Sequence, residues 1–235
     1  MSLLRRLFGR APQLSPEQRQ RLDAWWGMVD PDLGSAYPLM RYVVADVETS
    51  GLSVYKDELI AIGAVAIADG RIAYDGSFHA VLRQERASGD DNILVHGIGG
   101  TSQTEGGEPA EVLLDFLEFI GTAPLVGFHA AFDEVMLRKA FRRYLGEKFE
   151  RTWLDLAWLA PSLVPEHAKT LRSLDDWCEG FGVLNLRRHD ALADALATAQ
   201  LFQVLQQRAA ESGMHSVRDL LEAASHQEWL HRIGR

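Results

Sequence analysis

A single cysteine, Cys178, stands in a chain of 235 residues. With no second thiol there is no intramolecular disulfide to brace the fold, and a reducing, cytoplasmic setting is the expectation. The thiol sits in LRSLDDWCEGFG, between Trp177 and Glu179, and reads as a partly buried structural group, not a nucleophile. Long apolar runs are missing as well. The opening MSLLRRLFGRAPQ has arginines but no apolar stretch that would make a signal peptide or a membrane span, so no membrane partner is expected. Residues 1 to 12 read as a frayed terminus without an assigned function.

Positive charge is in short supply. The chain has 24 lysines and arginines against 33 aspartates and glutamates, a net charge of -9. Proteins that coat long nucleic acid gain their affinity mainly from lysine and arginine displacing counterions, so this balance argues against that class. It leaves room for an enzyme that handles a short single-stranded end with metal ions, because the ions neutralise phosphate where the chemistry occurs.

What is present is apolar content of 47%, enough for the core of one α/β domain with a modest extension. The patterning divides the chain into an N-terminal helical extension (1–39), a main domain (40–210) and a C-terminal helical tail (211–235). A helix is expected over 15–29, where Ser15, Pro16 and Gln18 form a capping-box start. Pro31, Gly34 and Pro38 then break it, and Trp25 and Trp26 are expected to pack on the domain. RYVVADVE reads as a buried strand. LIAIGAVAIADGRIAYDGSFHAVL adds two strands around Asp69-Gly70, a favoured type I′ turn, which predicts three antiparallel neighbours.

Farther on, EPAEVLLDFLEFIG has helical spacing, APLVGF is a short apolar strand and AAFDEVMLRKAFRRYLG is an amphipathic helix. Strand, helix, strand in that order predicts parallel pairing. A fifth strand is expected near Arg151 to Leu156, running into a helix that ends before Pro161. Helices are expected at about 170–180, 190–209 and 216–233. The fold class is therefore α/β, a mixed five-stranded sheet flanked by helices.

Three short segments carry the chemistry. Asp46 and Glu48 are two apart at the end of the first strand, so both side chains project from one face of the sheet. Carboxylates fixed side by side repel unless cations lie between them, and hard oxygen ligands on a rigid element suit Mg²⁺. Asp133, in GFHAAFD, falls where a strand ends and a helix begins, a position also favourable with the helix dipole. His129 in the same segment is not taken as a metal ligand, because oxygen-rich sites favour Mg²⁺ or Mn²⁺. In RRHDALADA, Asp190 suits a helix N-cap, which puts Asp194 in the first turns and leaves His189 on the approaching loop. Each segment alone is a weak signal.

In this order, DVETSGL, GFHAAFD and HDALADA resemble the three motifs of the DEDDh family, the DnaQ-like 3′→5′ exonucleases with an RNase H-like fold, whose best-known member is the proofreading epsilon subunit of bacterial replicative DNA polymerase. The similarity spans about residues 41 to 208. It implies that Asp46, Glu48, Asp133 and Asp194 hold two Mg²⁺ or Mn²⁺ ions while His189 activates the attacking water, releasing nucleoside 5′-monophosphates. It also implies that the terminal nucleotide passes over Thr49, Ser50, Gly51 and Leu52, with His96 and Ile98 of the HGI segment and His129 and Phe132 of the second motif as further substrate contacts. The second motif usually carries asparagine where this chain has His129, and imidazole and amide offer phosphate different donors.

A single-stranded 3′ end is the implied partner. DNA is favoured because DVETSGL followed by DELIAIGAVAI looks epsilon-like. An exoribonuclease of the oligoribonuclease or RNase T kind shares these motifs. A non-catalytic interaction module with the same fold is disfavoured, since all five catalytic side chains are kept. No residue designates a DNA polymerase or repair partner. QLFQVL at Gln200 to Leu205 superficially matches a sliding-clamp motif but falls within the expected long helix and reads as core.

Overall fold

The apolar run Tyr42–Thr49 (β1) finds a partner on each side. The antiparallel strand Leu59–Ala68 (β2) lies along one edge and the parallel strand Leu125–Gly127 (β4) along the other. Arg71–Val81 (β3) extends the antiparallel side and Trp153–Asp155 (β5) the parallel side, giving a five-stranded sheet in the order β3-β2-β1-β4-β5. The structure, a computed structural model, describes residues 12–234, so the expectation for the opening residues lies outside them apart from Pro12. The β2–β3 hairpin turns at Asp69 and Gly70, with φ of 51° and 69°, the two left-handed residues that a type I′ turn requires.

The helices described are α1 (Pro16–Trp26), α2 (Asp90–His96), α3 (Gly100–Thr104), α4 (Pro109–Ile120), α5 (Ala131–Tyr144), α6 (Leu156–Leu163), α7 (Leu174–Gly180), α8 (Ala191–Glu211) and α9 (Val217–Ile233). The Ser15 and Gln18 capping box forms as expected, but α1 stops at Trp26, three residues early. Helices α2 and α3, of seven and five residues, were not anticipated; elements so short show no apolar period. The helix expected to end before Pro161 continues to Leu163. A proline this near the helix end removes only one late bond, to the Ala157 carbonyl, so the last turn survives.

Alternation along β1 sorts the core into two layers. Val43, Ala45 and Val47 face α4 and α5, while Tyr42 and Val44 face α6, α7 and α8. Leu201, Phe202 and Leu205 are fully buried in the second layer, as expected of the QLFQVL segment. Cys178 is buried there too, and burial pushes its thiol up to about 11. Outside the sheet, α1 lies on α4, where Arg21 reaches Glu111, Asp115 and Glu118 at 2.5–2.8 Å and the Trp25 indole donates to the Gly121 carbonyl at 2.8 Å. Trp26 packs edge-on against Trp25 but is half exposed. Helix α9 packs on α6. Among the described residues no helix is long and apolar enough to cross a membrane.

On the α8 face, residues opposite one another on β1 and β2 shrink toward one end. Tyr42 pairs with Ile67 and Val44 with Val65, but Asp46 pairs with Gly63 and Glu48 with Ala61. The small residues let α8 close on the sheet. A Cβ on Gly63 would lie 2.2 Å from the Ala191 carbonyl carbon and the Leu192 nitrogen, both backbone atoms of the first turn of α8. Gly63→Ala is therefore expected to cost about 3 kcal/mol of stability, the upper end of overpacking penalties, because backbone cannot swing aside as a side chain would. Urea unfolding measures this, and a variant as stable as the parent would show that α8 does not depend on that approach.

Candidate active site

Strand β4 ends at Gly127 and, of β1, pairs only with Val43 and Val44, so the carboxyl-terminal half of β1 outruns it. Open sheets of this kind bind ligands beyond the carboxyl ends of their strands. The first turn of α5 arrives at the vacated edge and delivers Asp133, whose buried carboxylate accepts a hydrogen bond from the Val47 backbone at 3.0 Å. The helix dipole favours a carboxylate in that turn.

From the other face comes Asp194, in the first turn of α8, whose N-cap is Asp190 as expected. Asp46, Glu48 and Asp194 each offer an oxygen, and these atoms lie within 4.8 Å of one another. Three hard oxygen donors so placed form a candidate centre for a divalent cation such as Mg²⁺ or Mn²⁺. Burial raises the carboxyls of Asp46, Glu48 and Asp133. Asp46 is held well above its ordinary value by desolvation and then by Asp133, Asp194 and Glu48. Desolvation, followed by Asp194 and Asp190, pushes Glu48 up to about 8, and burial raises Asp133 to about 7 against the opposing Val47 hydrogen bond. Asp194 accepts three hydrogen bonds, from the His189 backbone at 3.0 Å, the Arg188 guanidinium at 2.6 Å and the Asn185 amide, which leaves acceptor capacity on its two oxygens.

Arg188 extends from Asp194 to the Asp175 carboxylate at 2.8 Å and is the counter-charge inside the acidic cluster. Nothing in RRHDALADA singled it out, since an arginine beside a histidine on a polar loop has no periodic or spacing signature. Asn185 and Asp155 were missed for the same reason. The Asp155 carboxylate accepts a hydrogen bond from the His129 backbone at 2.9 Å and so holds that residue in place.

The four carboxylates and Arg188 border a cavity of about 660 Å³. Thr49, Gly51, Leu52, His129, Phe132 and His189 line it with the four carboxylates. His129 and His189 both have left-handed φ, 60° and 61°, a conformation that costs a non-glycine residue energy and gathers at functional sites. Both histidines stand at the cleft, exposed to solvent. Three expected substrate contacts do not border the cavity. The Ser50 hydroxyl is engaged with Asp57 and the Glu58 backbone, at 3.0 and 2.9 Å. His96 is buried between Asn92 and the backbone of Ile98, at 2.8 and 2.9 Å, and so shapes the end of α2. Asn92 and Val95, from the preceding turns, face the cleft in place of His96 and Ile98.

A central strand flanked by one antiparallel and one parallel neighbour, with acids converging at its carboxyl end as a candidate metal centre, gives the chain an RNase H-like fold. The family model described as Exonuclease matches residues 43–202. The chain belongs to the exonuclease family, in its DEDDh, DnaQ-like branch. It is 34% identical over 168 residues to a DNA polymerase III PolC-type of Thermotoga petrophila, covering 72% of this chain and 12% of the relative, and 33% identical over 174 residues to that of Bacillus subtilis, covering 74% and 12%. The chain thus spans only 12% of the length of these curated relatives.

Among solved structures, E. coli Exonuclease I in complex with a dA16 oligonucleotide superposes with a TM-score of 0.63 at 17% identity, over 73% of this chain and 42% of that one. Exonuclease X in complex with 5′ overhanging duplex DNA gives 0.60 at 20% identity, over 78% and 99%. At these identities the superpositions speak for the fold.

A carboxyl whose folded-state pKa lies above its unfolded value binds more protons folded than unfolded, so folding stability falls as pH rises through the interval between the two. For Glu48 that interval runs from 4.5 to about 8. The gap in Tm between Mn²⁺-loaded and chelated protein should widen as pH rises across it. Calorimetry in both states checks this, and a gap that narrows toward alkaline pH would contradict the repulsive cluster.

Proposed function

We infer that the protein is a metal-dependent 3′→5′ exonuclease that removes nucleoside 5′-monophosphates from single-stranded DNA ends. The observation that carries this is the convergence of Asp46, Glu48 and Asp194 within ligand distance of one another, with Asp133 beside them at the end of the central strand. Buried acids that repel one another and present only oxygen are suited to divalent cations, and these four would hold two Mg²⁺ or Mn²⁺ ions. Such ions, when bound, stabilise charge on the attacking and leaving oxygens and lower the pKa of water.

The remaining steps belong to side chains. His189, exposed on the loop before α8, takes the proton of the attacking water. Leu52 and Val95, both largely solvent-exposed and both at the cavity, offer apolar surface to the terminal base, with Phe132 at the same wall. The carboxylates of Asp133 and Asp194 are held rigid by their hydrogen bonds, so the cluster is set before substrate arrives. Resemblance to PolC-type polymerases, and to exonucleases crystallised with DNA, supports DNA over RNA. A reducing cytoplasm fits the lone buried thiol.

Asp46→Ala, or a chelator, is expected to abolish mononucleotide release from an end-labelled oligonucleotide while the variant stays folded, because removing one of several clustered charges relieves repulsion. Substantial release under either condition would sink the metal mechanism. His189→Ala should lower turnover by roughly 10² to 10⁴, the scale of a lost general base, with metal affinity nearly intact. Retention of near-parental turnover would remove His189 from the base role.

A further inference from the structure

A second cavity, of about 710 Å³, adjoins the cleft, and His129 and Arg172 line both. Moving away from the carboxylates, its wall is formed by Trp158 of α6, Lys169 and Arg172 of the segment before α7, and His231 and Arg232 of α9. No aspartate or glutamate lines it among the described residues, although the protein as a whole carries a net charge of -9. Lys169 and Arg172 form no side-chain ion pair among the described residues. Arg232 shares only an exposed pair with Glu228 of its own helix, at 2.6 Å.

Aromatic surface accompanies the cations. The half-buried Trp158 ring lies 5.0 Å from the His231 ring at 53°, so the two present a tilted aromatic corner beside Arg232. Cations spaced along a groove, interleaved with aromatic faces, are what a single strand uses: phosphates meet the cations and unstacked bases meet the rings. The groove opens into the catalytic cleft through His129, at the position where the second motif departs from its usual asparagine. It is completed by α9, which lies beyond the family-matched segment 43–202.

Resting on the exonuclease reading, we propose that this groove, built by α6, the segment before α7 and the C-terminal helix α9, holds the nucleotides that follow the 3′-terminal one. Lys169, Arg172 and Arg232 bind their phosphates, and Trp158 with His231 stacks against a base. The tail helix thus gives an acidic enzyme a short cationic track where its substrate leaves the cleft, without a broad basic surface.

The test measures binding of fluorescent oligothymidylate to the full chain in chelator, across a series of salt concentrations, for the parent and for Lys169→Gln/Arg232→Gln. Both positions are exposed or nearly so, and the neutral replacements leave the fold intact. A long strand should bind the parent more tightly than a dinucleotide does, and the double variant should lose most of that advantage. The slope of log Kd against log salt should become shallower by about 0.7 for each phosphate no longer neutralised, about 1.4 for the pair. A purely structural role would not move that slope. An unchanged slope together with an unchanged length advantage overturns the proposal. Cleavage of the long oligothymidylate by the parent with Mn²⁺ is read in parallel. If it is cleaved while the slope stays fixed, the groove assignment alone fails; if it is not cleaved, the exonuclease reading fails by itself.

Discussion

The first turn of α8 lies directly on the backbone of β2 at Gly63, and the geometry of the candidate site depends on that approach. Gly63 is the register partner of Asp46 across the sheet. Where the sheet carries isoleucine and valine on this face, α8 is held off by their side chains; where it carries glycine and alanine, the helix descends to backbone contact. That descent brings Asp194 from a late helix to the acids of the first strand. It also fixes which end of the sheet can serve as a site, since the opposite end of the same face is filled by Tyr42, Ile67 and Phe202.

What is assembled there opposes folding. Four carboxylates, two of them on buried residues, converge from β1, α5 and α8. The chain offsets their repulsion locally. Asp133 and Asp194 each occupy the first turn of a helix, where the dipole is positive, and each accepts a backbone hydrogen bond from the segment it faces. Arg188 brings a full positive charge to Asp194 and hands its other edge to Asp175, outside the cleft. The left-handed residues His129 and His189, both at the cavity, are further local costs that the surrounding core sustains.

The charge distribution has a consequence at larger scale. Several arginines are engaged with acids on the outer surface: Arg21 ties α1 to α4, Arg143 reaches Glu58 and Arg151 reaches Asp30. Lys169 and Arg172, which form no such pair among the described residues, face the cavity beside the cleft. Net charge alone therefore describes this surface poorly, because much of the positive charge is neutralised pairwise and the remainder is placed.

Element order and most of the chemistry are already legible in the linear chain. The run RYVVADVE reads as a buried strand ending in two acids on one face, Asp69-Gly70 as a hairpin turn and Asp190 as the cap of α8, because these are local matters of period, backbone sign and capping. Asp46 and Glu48, Asp133, and His189 with Asp194, scattered along the chain, meet in one cleft, and their order could be read before the cleft was known. Packing alone chose their neighbours. Short α2 and α3 have no period to read, and they turn His96 into the interior while presenting Asn92 and Val95 to the cleft. Arg188 and Asn185 owe their place to the packing of α8 on Gly63, and the adjoining groove to the docking of α9 on α6. Contacts between segments far apart in the chain leave no periodic trace in either one, so a sequence specifies them only through the folded whole.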